Sequence, residues 1–281
     1  MIVYNDRGSL SKALLPFRLH KKIGLIPTMG ALHNGHLALV KQALEDNDCV
    51  VVSIFVNPTQ FDKEADLIKY PRNLNLDVNL LATLKGTILI YAPEAIKLYH
   101  GNISSNNYSF GNIENEMEGK YRKGHFDGVG TVVNLLLRDV EPNYAYFGEK
   151  DFQQLQIVRK LVEIEKLAVE IVGCPIVREK SGLAMSSRNK RLSAIQLEAA
   201  TLINKTLLEV QQKFQHLSIS KCNALVEERF LKNDHLTLEY FEVANVKTLK
   251  TAKHKFSNKD YRAFIAVFAG QVRLIDNIAL N

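Results

Sequence analysis

Residues 23–36, IGLIPTMGALHNGH, join a short apolar run to the start of a helical pattern. The run at 23–27 ends at a proline and has the composition of a buried strand. The residues that follow place Leu37, Val40 and Leu44 at the spacing of one helix face. The stretch therefore predicts a strand, a tight turn and a helix in direct succession, which is one unit of a parallel α/β sheet.

The same alternation of strand and helix patterns continues to about residue 176. Further strands are predicted at 49–56, 87–91, 144–148 and 169–172, and further helices at 129–140 and 151–166. This repetition predicts an α/β fold with a Rossmann-like parallel sheet and helices on both faces. In such sheets ligands bind at the carboxyl ends of the strands.

The pattern changes after about residue 190. Helical stretches near 193–215 and 220–233 precede strand-like runs at 236–244, 261–269 and 272–278. Helices followed by adjacent strands with short connections predict a small α+β unit. We therefore expect residues 1–176 to form the Rossmann-like domain and residues 177–281 to form a smaller α+β domain at the C-terminus.

The composition is that of a globular protein, with 281 residues, 46% hydrophobic and 23% charged. Its three cysteines, Cys49, Cys174 and Cys222, form no CxxC pair, so neither a zinc site nor a disulfide framework is indicated. The first residues lack the features of a secretory signal, and no apolar stretch is long enough to span a bilayer. We expect a cytoplasmic protein with no membrane partner.

The net charge of +6 and the pI of about 9.0 leave a nucleic-acid-binding protein as an alternative. The basic residues are scattered, except for a cluster at Lys247, Lys250, Lys253 and Lys255 that also fits a solvated loop. No basic motif is interleaved with aromatic residues. We expect no nucleic-acid partner; salt-sensitive binding of DNA or RNA would favour the alternative.

The His-Asn-Gly-His element at 33–36 is the sharpest chemical signal in the chain. A helix N-terminus presents unpaired N–H groups and a positive dipole end, which suit phosphate. His33 and His36 lie three residues apart on that helix start and could donate hydrogen bonds to phosphate oxygens. Gly35 leaves room for a base or ribose against the backbone. The alternative is an ordinary strand-to-helix turn with two incidental histidines.

Polar residues also follow the next strands of the predicted sheet. Asn57 and Gln60 come just after the run at 49–56, although Asn-Pro is also a common turn cap. Lys150 offers a point charge to phosphate, and Asp151 could either cap a helix or bind ribose. These positions predict a shared crevice at one edge of the sheet.

The segment MSSRN at 185–189 places Ser186, Ser187 and Arg188 after a glycine turn. Two hydroxyls and a guanidinium in a loop make a plausible mobile phosphate clamp. The same residues also fit a plain loop before a helix that Ser193 caps. Sequence alone leaves both interpretations open.

The HxGH element resembles that of the nucleotidylyltransferase superfamily, relatives of the class I aminoacyl-tRNA synthetases, in which it binds ATP and stabilises the transition state at the α-phosphate. The longer strings PTMGALHNGHLALV, SIFVNPTQF, GEKDFQQL and MSSRN are similar to those of the pantoate–β-alanine ligase family. The likeness covers nearly the whole chain and is densest at 23–61 and 118–192. Another adenylyltransferase on the same fold would share HxGH but not SIFVNPTQF or GEKDFQQL.

The resemblance implies an ATP-dependent ligase of pantothenate and coenzyme A biosynthesis. Pantoate would be adenylated to pantoyl-adenylate with release of pyrophosphate, and β-alanine would then displace AMP. It also implies Mg²⁺ with the ATP substrate, a homodimer, an N-terminal domain that binds ATP and pantoate, and a C-terminal domain that acts as a lid.

Residue by residue, the resemblance implies four catalytic side chains: His33, His36, Lys150 and Arg188. The implied ATP contacts are Met29, Gly30, His33, His36, Gly148, Glu149, Lys150, Asp151, Val177, Met185, Ser186, Ser187 and Arg188. The implied contacts to pantoate or β-alanine are Asn57, Gln60, Arg122 and Gln154. Asp77 is a candidate Mg²⁺–ATP contact.

Two positions depart from the family pattern. Lys123 replaces the usual proline of the RPGHF-type stretch but leaves Arg122 in place. Ser181 stands where the family usually has aspartate, which removes a charge beside the clamp segment. A family member that has lost its activity is therefore a further alternative, although the main motifs are intact.

Overall fold

The computed structural model of the chain describes residues 1–61 and 64–281. Within them, a parallel sheet has the strand order β1-β4-β3-β2-β5-β6. Its strands are β1 (Val3–Tyr4), β2 (Ile23–Thr28), β3 (Cys49–Ile54), β4 (Ile88–Tyr91), β5 (Tyr144–Gly148) and β6 (Glu170–Cys174). The predicted Rossmann-like sheet is confirmed, with an added first strand that the sequence analysis did not predict.

The helices of the described chain surround this sheet and fill the C-terminal part. They are α1 (Arg7–Arg18), α2 (Asn34–Asp46), α3 (Glu64–Lys69), α4 (Leu74–Leu81), α5 (Ala95–Leu98), α6 (Glu118–Tyr121), α7 (His125–Val140), α8 (Phe152–Glu165), α9 (Ala194–Lys213) and α10 (Ile219–Leu231). Short 3₁₀ turns occupy Pro58–Gln60, Ile113–Asn115, Glu149–Asp151 and Ser187–Arg191. None of the described helices is long and apolar enough to cross a membrane.

Successive residues of the central strands face two different cores, which explains why these strands are apolar throughout. Leu25 and Val51 pack with α1, α7 and α8 on one face. Ile26 and Val52 pack with α2 and α4 on the other face. Helices connect the successive strands, so the strands run parallel and the loops that follow them emerge at the same edge of the sheet.

The strand order reverses between β2 and β5. From β2 the chain moves outward through β3 and β4 on one side, and it returns on the other side with β5 and β6. Loops that leave the two adjacent strands therefore diverge and open a crevice at their carboxyl ends. The HxGH segment follows β2 and the GEKD segment follows β5, so both segments meet at this crevice.

A second, antiparallel sheet has the order β7-β8-β9, formed by Thr237–Asn245, Tyr261–Ala269 and Val272–Ala279. One face packs on α9 and α10. The other face adds Tyr240, Phe264 and Ala266 to the core that contains α7 and α8. The predicted α+β composition of this part is confirmed, and its sheet shares a hydrophobic core with the larger unit. The lid role stays a prediction.

A buried ion cluster also joins the two sheets. Glu118 on α6 is 8% exposed, and each of its oxygens accepts a hydrogen bond of 2.7 Å from the Arg273 guanidinium on β9. The Tyr240 hydroxyl on β7 donates to the same carboxylate at 2.8 Å. Burial alone would raise the pKa of Glu118, but the hydrogen bonds and charge of Arg273 outweigh it and lower that pKa to about 2.

We expect Glu118→Ala to lower the free energy of unfolding by about 3 kcal/mol at neutral pH, because it removes one partner of a buried ion pair. A carboxyl pKa below its unfolded value stabilises the fold above about pH 4.5, and this contribution is lost as the pH falls toward 2. Urea unfolding of the parent and the variant, at neutral pH and near pH 2, measures the difference in free energy of unfolding. Glu94→Ala, which removes an exposed carboxylate paired with Lys97, is the control. Equal losses in both variants would contradict the assignment.

Candidate active site

The crevice at the strand reversal contains a cavity of about 220 Å³. The predicted residues that line it are Met29, His33, His36, Asn57, Gln60, Gly148, Lys150, Asp151, Gln154, Val177, Met185, Ser186, Ser187 and Arg188. They come from four separate loops, so the fold brings together most of the site that the sequence analysis predicted. Gly30, Glu149, Arg122 and Asp77 do not line this cavity.

The turn between β2 and α2 is stabilised by hydrogen bonds to the Asp77 carboxylate. This carboxylate is 4% exposed and accepts the N–H groups of Ala31 at 3.0 Å and Leu32 at 2.7 Å. Gly30 has a φ of +75°, and a Cβ there would lie 2.9 Å from an Asp77 oxygen. Both residues shape the turn, and the predicted contacts of Gly30 to ATP and of Asp77 to magnesium stay predictions.

The two histidines cap α2 reciprocally. The Nδ1 atom of His33 accepts from the N–H of Gly35 at 3.1 Å, and the Nδ1 atom of His36 accepts from the N–H of His33 at 3.3 Å. An Nδ1 atom that accepts cannot carry a proton, so in the neutral ring the proton is on Nε2. Each imidazole is thereby set as an Nε2–H donor, and both rings line the cavity.

The electrostatic environment keeps these rings neutral. Burial lowers the pKa of His33 to about 4, with the positive charge of Lys150 acting in the same direction. Burial lowers the pKa of His36 to about 3, and His33 and Lys150 add to the effect. The ring centroids are 4.1 Å apart, so two charged imidazoles would also repel each other. The site therefore offers two neutral donors at physiological pH.

The buried Asn57 side chain orients Gln60, another polar residue that lines the cavity. Asn57 Nδ2 donates to Gln60 Oε1 at 3.2 Å and to the carbonyl of Gly128 at 3.1 Å. Its Oδ1 accepts the Tyr99 hydroxyl at 2.6 Å. With its carbonyl oxygen held in this way, Gln60 directs Nε2 toward Met29, whose sulfur lies 2.8 Å away. The predicted turn cap at Asn57 is also present, since Oδ1 accepts the N–H of Thr59.

The GEKD turn after β5 is held by the C-terminal sheet. The Asn277 side-chain amide donates to the carbonyls of Glu149 and Lys150, each at 2.9 Å. The Glu149 carboxylate pairs with Arg262 at 3.2 Å instead of lining the cavity. Asp151 occupies the N-cap position of α8 but makes no side-chain cap hydrogen bond. The cap alternative is therefore not observed, and this carboxylate faces the cavity beside Lys150.

The predicted clamp segment closes one side of the cleft. The Ser187 hydroxyl donates to the carbonyl of Ala31 at 3.1 Å, which ties this loop to the HxGH turn. Ser193 caps α9 through a capping box with Gln196, which confirms the cap interpretation, and the phosphate-clamp role stays a prediction. Ser181 is exposed in the turn before the clamp segment. It lines neither this cavity nor the adjoining cavity described next.

Arg122 lines an adjoining cavity of about 410 Å³ that shares Lys150, Asp151, Ser186 and Arg188 with the first. Its guanidinium contacts His125 Nε2 at 3.1 Å and the carbonyl of Gln60 at 3.5 Å. The other ring nitrogen of His125 lies 2.8 Å from the same carbonyl. Arg122 thus supports the backbone of Gln60, and its predicted contact to substrate stays a prediction.

Sequence reasoning missed the apolar wall of the cleft and two tyrosines. The wall is formed by Phe55 and by residues of α7: Val129, Val132, Val133 and Leu136. Its periodicity on α7 was visible, but periodicity does not separate a core face from a ligand-facing one. Tyr70 and Tyr146 also line the cavity. The YPR stretch at 70–72 was the available signal for Tyr70.

No group of three or more His, Cys, Asp or Glu residues clusters in the described chain as a metal site would require. Asp151 is the carboxylate that lines the main cavity. This donor set suits a magnesium ion that is held mainly by substrate phosphates, since Mg²⁺ commonly uses one or two carboxylates beside them.

Comparison with known proteins shows a family likeness over almost the whole chain. A family model described as pantoate–β-alanine ligase matches residues 3–279. The pantothenate synthetase of Christiangramia forsetii is 52% identical over the full length of both chains. A crystal structure of pantothenate synthetase from Thermus thermophilus is 37% identical, with a TM-score of 0.91 over 100% of this chain and 99% of that one. A pantoate–β-alanine ligase from Francisella tularensis, solved with β,γ-ATP and β-alanine, is 37% identical, with a TM-score of 0.81 over 100% and 98%.

The neutral histidines generate a pH prediction. Their folded pKa values lie below the unfolded value of 6.5, so the stability that they contribute is present above pH 6.5 and is lost as the pH falls toward 4 and 3. We expect the Cε1–H NMR signals of His33 and His36 to stay constant from about pH 8 to 5.

Between about pH 7 and pH 5, the free energy of unfolding measured in urea should fall by about 2 kcal/mol less in His36→Asn than in the parent, because the variant lacks the ring that titrates only in the unfolded state. His235→Asn, which replaces an exposed ring, is the matched control. Midpoints near pH 6.5 for both cleft histidines would contradict the assignment.

Proposed function

Because this chain belongs to the pantoate–β-alanine ligase family, we propose that its cleft condenses pantoate with β-alanine in an ATP-dependent reaction that passes through pantoyl-adenylate. The chain matches curated relatives of this activity over its full length. A neighbour 37% identical was solved with β,γ-ATP and β-alanine. The geometry of the cleft supports the individual residue roles proposed below.

One observation carries the adenylation step. Two imidazoles fixed as neutral Nε2–H donors face the same cavity as Lys150 and the clamp residues. Attack on the α-phosphorus of ATP builds negative charge on its non-bridging oxygens. Donors held in place before the reaction stabilise that charge without a reorganisation penalty. His33 and His36 therefore donate hydrogen bonds to the α-phosphate oxygens, and neither acts as a covalent nucleophile.

In the first step, a pantoate carboxylate oxygen attacks the α-phosphorus, and the bond from that phosphorus to the bridging oxygen of the β-phosphate breaks. Pyrophosphate leaves, and pantoyl-adenylate remains. Lys150 and Arg188 balance the charge of the leaving pyrophosphate, and the hydroxyls of Ser186 and Ser187 add neutral donors. The enzyme has to hold two anions, the pantoate carboxylate and the ATP phosphates, close enough to react. The positive charges of Lys150 and Arg188 offset their mutual repulsion.

In the second step, the β-alanine amine attacks the activated carbonyl, a C–N bond forms, and the C–O bond to AMP breaks. The amine loses a proton as the amide forms. Gln60 and Gln154 face the cavity and hold the hydroxyl and carboxylate groups of pantoate, since an amide both donates and accepts. Asn57 orients Gln60. The apolar wall of α7 packs against the carbon skeleton of pantoate.

The remaining ATP contacts that we propose are Met29, Gly30, Gly148, Glu149, Asp151, Val177 and Met185. Mg²⁺ would neutralise phosphate charge when bound, with Asp151 as the cleft carboxylate able to reach it. We also propose a cytoplasmic homodimer in which residues 177–281 close over residues 1–176.

The direct test is AMP formation with ATP, pantoate and β-alanine, in which each substrate is omitted in turn. We expect AMP to accumulate only when all three are present, beyond one equivalent per site. Pyrophosphate release should require pantoate but not β-alanine. Absence of AMP from folded protein would indicate a family member that has lost its activity, and equal turnover with an unrelated acid would indicate a different adenylating enzyme.

We expect His36→Ala to slow adenylate formation by roughly 10²–10³-fold, the usual loss when one fixed donor to a developing oxyanion is removed. The measurement is single-turnover formation of pantoyl-adenylate, with circular dichroism to establish that the fold is retained. His235→Ala, at an exposed ring, is the control. A single-turnover rate near that of the parent would remove His36 from the proposed role.

A further inference from the structure

Asp66 on α3 binds two arginines of the clamp loop at once. One oxygen accepts from the Arg188 guanidinium at 2.8 Å, and the other accepts from the Arg191 guanidinium at 2.8 Å. The three side chains are each about a quarter exposed, from 22% to 27%. Asp66 is four residues before Tyr70, and neither the fold nor the proposed chemistry of the cleft accounts for this pairing.

The contact bridges two loops that leave different strands of the sheet. The segment with Asp66 and Tyr70 follows β3, and the clamp loop follows β6. Tyr70 lines the cavity, and the Arg188 guanidinium carbon lies 5.9 Å from the centre of its ring. Ser187 ties the same loop to the carbonyl of Ala31. The clamp is thus fixed both to the HxGH turn and to the segment after β3.

The pairing leaves Arg188 able to bind phosphate. A guanidinium carries five N–H donors, and within the described chain Arg188 uses one of them, on its Nη2, to reach Asp66. One carboxylate also faces two guanidinium groups, so the cluster keeps a net positive charge. A polyphosphate can therefore join the cluster without displacing Asp66.

A free arginine side chain loses rotamer entropy when it binds a ligand, and its planar guanidinium loses less when it is already oriented. Asp66 supplies that orientation before the nucleotide arrives. Burial raises the pKa of Asp66, but the charges of Arg188 and Arg191 outweigh it and lower that pKa, so the carboxylate is ionised at neutral pH.

We propose that Asp66 is a positioning residue for ATP: it pairs with Arg188 and Arg191 and holds the Arg188 guanidinium over the cleft, ready for the phosphates. Arg191 keeps Asp66 in place and does not itself line the main cavity. The inference rests on the proposed ligase function, because it assumes that Arg188 binds the phosphates of ATP. It adds a segment after β3 to the machinery that recognises nucleotide.

The test is steady-state kinetics of Asp66→Asn. We expect the KM for ATP to rise roughly tenfold, with kcat and the KM for pantoate within about threefold of the parent. Asp66→Glu, which keeps the charge, should restore most of the affinity. Arg191→Gln should raise the KM for ATP in the same direction. Asp234→Asn removes an exposed carboxylate elsewhere and is the matched control.

A double-mutant cycle separates positioning from a structural role. In an Arg188→Gln background, Asp66→Asn should change the KM for ATP by less than about twofold, because Asp66 acts through Arg188. A full tenfold change in that background, an unchanged KM in the single variant, or a lower KM would each overturn the inference. These outcomes require an active parent, and a parent that forms no AMP would instead refute the proposed function.

Discussion

The whole cleft depends on how the backbone N–H groups between β2 and α2 are satisfied. Buried donors without acceptors are costly, and the first turn of a helix has no internal partners for them. Here Asp77 takes the N–H groups of Ala31 and Leu32, and the two histidines take those of His33 and Gly35. Because the two histidines accept through Nδ1, the same hydrogen bonds also fix their Nε2–H tautomers. The hydrogen bonds that stabilise the turn therefore also prepare the imidazoles as donors.

The C-terminal sheet is part of the site's support. The Asn277 side-chain amide donates to the backbone carbonyls of Glu149 and Lys150, and Arg262 pairs with the Glu149 carboxylate. Arg273 neutralises the buried Glu118 on α6. With Phe264 in the N-terminal core as well, the two units are joined by apolar, amide and ionic contacts. Motion of the C-terminal unit over the cleft would have to carry the GEKD turn with it or break these contacts.

Much of the fold and cleft could be predicted from sequence because each motif follows a strand of continuous apolar residues. Parallel strands bring such segments to one edge, so HxGH, NPTQ and GEKD had to meet there. The supporting contacts could not be predicted in this way. Asp77 lies 46 residues from Ala31, and Asn277 lies 127 residues from Lys150. Partners so distant in sequence leave no periodic signal.

Neighbouring glutamines show a second limit of sequence reasoning. Gln153 is 3% exposed, and its amide bonds the carbonyls of Ile113 and Glu116, whereas Gln154 lines the cleft. One residue along a helix rotates a side chain by about 100°, and the helix must be docked before that rotation can be assigned a direction. The first residues and the short β1 strand carried too weak a pattern for any prediction.

The cleft combines fixed neutral donors with permanent cations, and the division has a physical reason. Permanent cations already bind the phosphates of ATP strongly in the ground state, and only the part of an interaction that is stronger in the transition state speeds the chemical step. Neutral Nε2–H groups gain strength as charge grows on the α-phosphate oxygens, and burial that would penalise an imidazolium does not weaken them. Lys150 and Arg188 can then serve binding and the leaving group. The lowered histidine pKa values are therefore the electrostatic condition for placing selective donors beside permanent positive charge.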